Sequence, residues 1–341
     1  MTKPSVNVSY EYLFARLHGL WMKSVHGEVL QTLAKAGSTE ALAHLAHDVG
    51  LEGAEDRTNF HKQLILRENR TLEKVCMLLE GSLADYYRAF LRRAYYENLK
   101  MLIHYHHFPA GDTPVAYLLT DVSDWPKVNM AKALQARGTE EFISQLNLRE
   151  HKEEIEAIIR RLAADKDIMA ADCALDSIVY NDLLLAARTL EQPMREEALA
   201  LVGEELDIIN LTTILRNVTT YHLDSEKLAG YCLKGGALLV ERQLKELSRQ
   251  ETRGGILGKL PSHYARVLSP LSQGELYVME NALWCDLYAR VRKLFINFNT
   301  PEYTIVAFPF LKHFESLNIS RIYEGIHFGL PARELLGMLI E

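Results

Sequence analysis

Apolar residues recur along most of the chain at steps of three and four, the period of one face of an α-helix. The clearest stripe, Leu72, Cys76, Leu79, Leu83, Tyr87, Phe90 and Ala94, predicts one long helix from Arg67 to about Tyr105. Pro109, Gly111 and Pro114 then interrupt the pattern and predict a turn or linker. Ile155, Ile158, Ile159 and Leu162 mark a second helical block; another runs from Asp172 to Leu190 and stops at Gln192 and Pro193. Helical spacing resumes from Glu204 to Val218, and again through Met279, Leu283, Leu287, Val291 and Leu294 until Pro301 closes it. Strand signals are few. Thr304 to Phe310 is β-branched and aromatic, but Pro309 falls inside it and no alternating partner is evident. The expected fold class is all-α. Arg253 to Pro261, with Gly254, Gly255 and Gly258, is expected to be a mobile loop.

A second periodicity lies above the helical one. Asn98, Asn210 and Asn318 are each followed by a branched aliphatic residue (Leu99, Leu211, Ile319) and, at the fourth position, by another (Leu102, Ile214, Ile322). The copies are 112 and 108 residues apart. Self-similarity at an even period predicts related units of one architecture, here three similar helical domains at residues 1–110, 111–224 and 225–341. Gly230, Gly235 and Gly236 are expected to loosen the second junction. Asparagine is a mediocre helix former because its amide competes for backbone hydrogen bonds. Kept between apolar neighbours, it predicts a paired, half-buried amide at a helix crossing. The three asparagines are therefore expected to be packing and registry positions rather than ligands.

Composition narrows the function. Of 341 residues, 48% are hydrophobic and 24% charged, as expected of a well-packed chain without extensive disorder. Lys and Arg total 38 against 45 Asp and Glu, and a net charge of −7 offers no general attraction to nucleic acid or anionic lipid. Met1 to Arg16 has no continuous apolar stretch, and no run approaches the roughly 20 apolar residues that span a bilayer. A cytoplasmic chain that meets a membrane only through a partner is expected. Cys76, Cys173, Cys232 and Cys285 are too dispersed for a CxxC-type site and read as scattered buried thiols.

No catalytic, cofactor or metal site is expected. His104, His106 and His107 are two and one apart, which does not align them on one helix face; they read as a wet helix terminus whose partly cationic imidazoles suit the negative end of the dipole. His44 and His47 have the right spacing, without HExxH, and predict a surface face. Glu324 with His327 is a single Glu-x-x-His, where a bundle di-iron site needs two. The stretch Gly254-Gly255-Ile256-Leu257-Gly258-Lys259-Leu260 echoes a phosphate loop, but its glycine spacing is wrong and Leu260 lacks the metal-binding hydroxyl. Aromatic clusters at Tyr86, Tyr87, Tyr95, Tyr96 and Tyr105, and at Trp284, Tyr288, Phe308, Phe310 and Phe314, read as packing.

Lys312-His313-Phe314-Glu315-Ser316-Leu317-Asn318-Ile319-Ser320-Arg321-Ile322-Tyr323-Glu324-Gly325, followed by Gly329-Leu330-Pro331, resembles the end of the C subunit of archaeal and bacterial V-type ATPases, whose eukaryotic relative is the d subunit. Tyr10-Glu11-Tyr12 with Ala15-Arg16-Leu17 resembles that family's first helix, and Glu97-Asn98-Leu99-Lys100 its first internal repeat. Ser316, Ser320 and Ile326 depart from the residues usual in the family, marking a divergent member. The resemblance implies a pseudo-threefold funnel of three helical domains. It also implies a non-catalytic component of the central stalk, peripheral to the membrane, that couples the axle formed by the D and F proteins to the membrane proteolipid ring during ATP-linked transport of protons or sodium ions. The rival expectation is a stand-alone helical repeat adaptor with a regulatory role.

Overall fold

The computed structural model describes residues 9–54, 56–108, 119–122 and 128–341. The expected linker at Pro109, Gly111 and Pro114, and with it the first boundary, lies outside the described residues. Among the described residues there is no strand, and helices carry the architecture. In chain order they are α1 (Tyr10–Trp21), α2 (Glu28–Ala34), α3 (Thr39–Asp48), α4 (Arg57–Cys76), α5 (Gly81–His107), α6 (Met130–Gln135), α7 (Thr139–Gln145), α8 (Lys152–Asp165) and α9 (Ile168–Thr189). They continue with α10 (Met194–Arg216), α11 (Ser225–Tyr231), α12 (Glu241–Ser248), α13 (Arg253–Leu257), α14 (Ser262–Leu268), α15 (Leu276–Phe295), α16 (Glu302–His327) and α17 (Ala332–Gly337). A single π-helical turn, Asn217–Tyr221, extends α10.

Six long helices form three hairpins, α4 with α5, α9 with α10 and α15 with α16, and each hairpin also packs against the next. Helix α9 lies on both α5 and α10, α15 on both α10 and α16, and α4 on both α5 and α16, so the set closes on itself. The asparagine helices α5, α10 and α16 are the inner members. Helix α10 touches α16 directly; α5 meets α16 where Phe90 and Phe310 pack edge to face at 5.1 Å. Both rings are nearly inaccessible, and each contributes roughly 1.5–3 kcal/mol by burial, with about 0.5–1.5 kcal/mol more for the aromatic geometry.

The C-terminal half of each inner helix diverges into a peripheral core completed by the connecting helices and the next hairpin. Residues 96–103 join 133–179 in one such cluster. Residues 208–215 join α11 to α15 in a second, continuous with the central core. In the third, Ile319, Ile322, Tyr323 and Ile326 of α16 join Val25 to Leu64 and the chain's end at Leu335 and Leu339. Segments from the first and last parts of the sequence thus build one core.

The structure departs from the sequence pattern at three places. The helix expected from Arg67 to Tyr105 is two helices. It turns back at Met77 to Glu80, and Gly81 takes a positive φ of 55°, a region that costs a side chain free energy and glycine little. The apolar stripe runs on across the turn because a hairpin folds both arms onto the same core: Leu72, Leu79, Tyr87, Phe90 and Ala94 are all buried. Thr304 to Phe310, where Pro309 argued against a strand, forms the first turns of α16 with Pro309 inside the helix, as the all-α expectation has it. The expected loop at Arg253 to Pro261 contains α13, whose N-terminus is capped by Thr252 Oγ1 accepting from Gly255 N; Ile256 anchors it in the core, fully buried. Gly235 and Gly236 do not loosen their junction but permit close packing. A Cβ on Gly236 would sit 1.9 Å from Asp207 Oδ1.

Candidate functional site at the centre of the three hairpins

The three asparagines make the same bonds. Asn98 Nδ2 donates to the Thr120 carbonyl at 2.6 Å and its Oδ1 accepts from Thr120 N at 2.8 Å. Asn210 does this with Leu233 at 2.8 and 2.7 Å, and Asn318 with Ile340 at 2.9 and 2.8 Å. In each case one amide satisfies both backbone groups of one residue, 22 or 23 positions downstream. All three asparagines are buried, as are the aliphatic residues one and four positions later. The amide therefore holds a non-helical strap against its own helix, where a helix crossing was expected. Asparagine carries its donor and its acceptor on separate atoms at the end of a short side chain, which lets it serve both backbone groups of one residue at once.

Five positions before the asparagines lie residues that form a charged cluster between the inner helices. They are Arg93, Glu205 and His313. Arg93 Nη1 and Nη2 grip Glu205 Oε1 and Oε2 at 2.9 and 2.7 Å, and the guanidinium lies 4.7 Å from the Phe90 ring centre and 5.2 Å from that of Tyr180. His313 Nδ1 is 3.4 Å from Glu68 Oε1. Burial alone would raise the Glu205 carboxyl, but the Arg93 guanidinium outweighs it and holds the group below its ordinary range. Glu68 is held low in the same way, with burial outweighed by His313. Eight positions before the asparagines are Phe90, Val202 and Phe310, all buried. At these levels the space between the three inner helices is filled by side chains.

Next to the charged centre, α4, α5 and α16 border a cavity of about 440 Å³ reached by Arg93, His313, Glu68 and Asn69. Two adjacent hairpin contacts carry the same ion pair with its sign reversed. Arg92 of α5 faces Asp182 of α9 at 3.5 Å, while Glu204 of α10 pairs with Arg290 of α15. Arg92 and Glu204 both stand six positions before their asparagine. Charge reversal at equivalent positions distinguishes one contact from the other, so the hairpins cannot exchange neighbours without placing like charges together.

Among the described residues no group of three or more His, Cys, Asp or Glu side chains is placed to hold a metal ion. His104 pairs with Asp172 at 2.7 Å, and His106 stacks on Phe142 with ring centres 4.0 Å apart. The partly cationic state expected for this terminus is corrected at two residues: burial lowers His106, and burial with His106 and Lys166 nearby pushes His107 down to about 4. Desolvation outweighs the helix dipole there. His44 and His47 are exposed. Glu324 is taken up by Arg57 and His61 at 2.7 and 2.6 Å. Cys232 is buried and the other three thiols are half-buried.

A family model described as ATP synthase (C/AC39) subunit matches residues 13–338, nearly the whole chain. The chain belongs to this family. No curated protein matches it. As a C/AC39 subunit it has a role in a V-type ATPase, in agreement with the resemblance carried by its two ends. Among the described residues no helix is long and apolar enough to cross a membrane. The asparagines were visible in the sequence because their aliphatic neighbours repeat with them. Arg93, Glu205 and His313 were not, because a cation, an anion and an imidazole share no residue type, and only alignment on the asparagines brings them into register.

Proposed function

We propose that this C/AC39 subunit is the non-catalytic coupling piece of the central stalk, cytoplasmic and peripheral to the membrane, passing torque between the D and F axle and the proteolipid ring. Three similar helical units, at residues 1–110, 111–224 and 225–341, would form a pseudo-threefold funnel whose wide face meets the ring and whose opening receives the axle. The observation that supports this reading is the closure of the six long helices, with residues at equivalent positions of the repeats in contact at the centre, as in Arg93 with Glu205 and Phe90 with Phe310. A torque coupler needs stiffness about an axis and large complementary surfaces, and a closed set of hairpins supplies the first. Asn98, Asn210 and Asn318 would then act as registry positions, fixing each strap to its inner helix.

The test is a pull-down of the purified protein against D, F and detergent-solubilised ring, with ATP hydrolysis and ion pumping measured in membranes lacking it. Stoichiometric capture of D/F and ring, with hydrolysis uncoupled from pumping in its absence, is the expected result. Capture of neither, with pumping intact, would favour the stand-alone adaptor.

A further inference from the structure

Outside the charged centre, one cleft carries a charge that the chain does not neutralise. It lies between α10, α15 and α16, has a volume of about 420 Å³, and is lined by Thr212, Arg216, Tyr277, Glu280, Trp284 and Arg321, among others. A volume in this range suits a small organic molecule. Arg216 is committed: its Nε and Nη2 hold Glu280 Oε1 and Oε2, both at 2.7 Å. Arg321 is not. Its Nη1 donates to Asn281 Oδ1 and to the Met338 carbonyl, both at 2.6 Å, and among the described residues no carboxylate lies within ion-pair distance of it. The cleft therefore holds two guanidinium groups and one carboxylate, a surplus of one positive charge. Burial depresses Arg321, and the more distant Cys285 and Glu280 offset only part of that, as expected of a cation withdrawn from water without a counter-ion.

The other walls give this charge a context. The Asn281 and Met338 bonds fix the guanidinium from one side, so it is preorganised rather than free to snorkel to solvent. Thr212 Oγ1 is buried and has no hydrogen-bond partner among the described residues. Tyr277 is about half exposed, and Trp284 packs edge-on against Phe314 at 6.2 Å, which holds its indole in place. Fixed cation and aromatic walls together match a planar molecule carrying an oxyanion.

We propose that this cleft binds a small organic oxyanion, a carboxylate or phosphate on a flat apolar body, with Arg321 receiving the negative group and Tyr277 and Trp284 flanking the body. Neither the axle nor the ring is needed for binding, so the cleft is independent of the coupling role.

Trp284 provides the readout. The purified full-length protein is titrated with benzoate, adenosine monophosphate and inorganic phosphate, following tryptophan fluorescence and thermal stability, with Trp284→Phe assigning the fluorescence change. Saturable binding of benzoate or the nucleotide is expected, and comparison of the two tells a carboxylate from a phosphate preference. Inorganic phosphate should bind at least tenfold more weakly than the better of them, for want of the flat body. Arg321→Gln should weaken binding at least tenfold, and Arg321→Lys should retain part of it. Because Arg321→Gln also loses bonds to the C-terminal segment, Tyr277→Ala, at the exposed rim, serves as a second variant and should weaken benzoate more than phosphate. No saturable binding of any of the three, or unchanged affinity in both Arg321→Gln and Tyr277→Ala, would overturn the proposal.

Discussion

The Tyr87 hydroxyl donates at 2.8 Å to the Ile305 carbonyl, the group that Pro309, four residues later in α16, has no N–H to satisfy. Proline inside a helix removes one bond of the ladder and crowds the carbonyl four positions back. Here α5 supplies the missing donor, and Tyr86 Oη reaches the next carbonyl, Val306, at 3.4 Å. Both tyrosines are completely buried. Pro309, which argued against a strand over Thr304 to Phe310, is thus one half of a contact between two hairpins. Tyr87→Phe should cost about 1–3 kcal/mol, the usual penalty for an orphaned buried polar group. In a Pro309→Ala background the new N–H can bond Ile305, so the same change should cost less. Urea denaturation of the four proteins measures the coupling, and equal penalties in both backgrounds would show that the tyrosine does not compensate for the proline.

The straps predict a mutational series. Asn210→Leu leaves both backbone groups of Leu233 unpaired in a buried site, for a loss of roughly 2–5 kcal/mol, while the folded protein should still capture its partners. Asn318→Leu frees Ile340 in the segment after α17, so amide exchange there should accelerate. Asn98→Leu acts on Thr120 in the same way. An unchanged melting temperature for Asn210→Leu would contradict the registry role.

Gly236→Ala should destabilise the protein, because the new methyl meets the Asp207 carboxylate at 1.9 Å. Asp207 is fully buried and accepts from Leu238 N, Leu239 N and Tyr264 Oη, so it cannot move without breaking that set. Gly254→Ala, with open space around its Cβ, should stay within about 0.5 kcal/mol of wild type. Thermal melts of the two variants give the comparison.

These contrasts show what periodicity could and could not reveal. Helix content and the asparagine repeat were legible because burial selects apolar residues at helical spacing and because Leu99, Leu211 and Ile319 accompany their asparagines. The hairpin turn before Gly81 was hidden by its own success: both arms bury a continuous stripe. Gly235 and Gly236 read as looseness because sequence records a missing side chain but not the carboxylate filling its place. Pro309 argued against a strand, but the hydroxyl that lets a helix accommodate it lies more than 200 residues away in the chain, where periodicity does not register it.

Acid should loosen the contact between α9 and α11. Asp167 caps α9 by accepting from Ala170 N at 3.0 Å, and also accepts from Tyr231 Oη at 2.5 Å and pairs with Lys227 at 2.8 Å. Burial would raise its carboxyl, but Lys227 and Tyr231 prevail and bring it to about 2. The folded value lies below the unfolded one near 4, so this contribution is complete above pH 4 and is lost as pH falls toward 2. Asp167→Asn keeps a capping oxygen but removes the charge. Its stability should vary less with pH between 4 and 2 than that of wild type, as followed by circular dichroism. Parallel curves would show that the charge carries none of the acid response.

The charged pair sets the sharpest test of the central core. Arg93 and Glu205 are 18% and 3% exposed in their side chains, and each neutralises the other where water cannot. Glu205→Leu strands the guanidinium against Phe90 and Tyr180, and breaking a pair so buried costs about 3–5 kcal/mol. Arg93→Met with Glu205→Leu removes both charges and leaves an apolar contact between α5 and α10, which should recover most of that loss. If the pair chiefly specifies which hairpins meet, the double variant will be stable but less uniquely packed, with slower-forming and more exchangeable amides along α5. Equilibrium unfolding gives the first quantity and hydrogen exchange the second. A double variant as unstable as Glu205→Leu would mean that the pair contributes net attraction beyond its desolvation cost, and that the contact between α5 and α10 is held by charge rather than by shape.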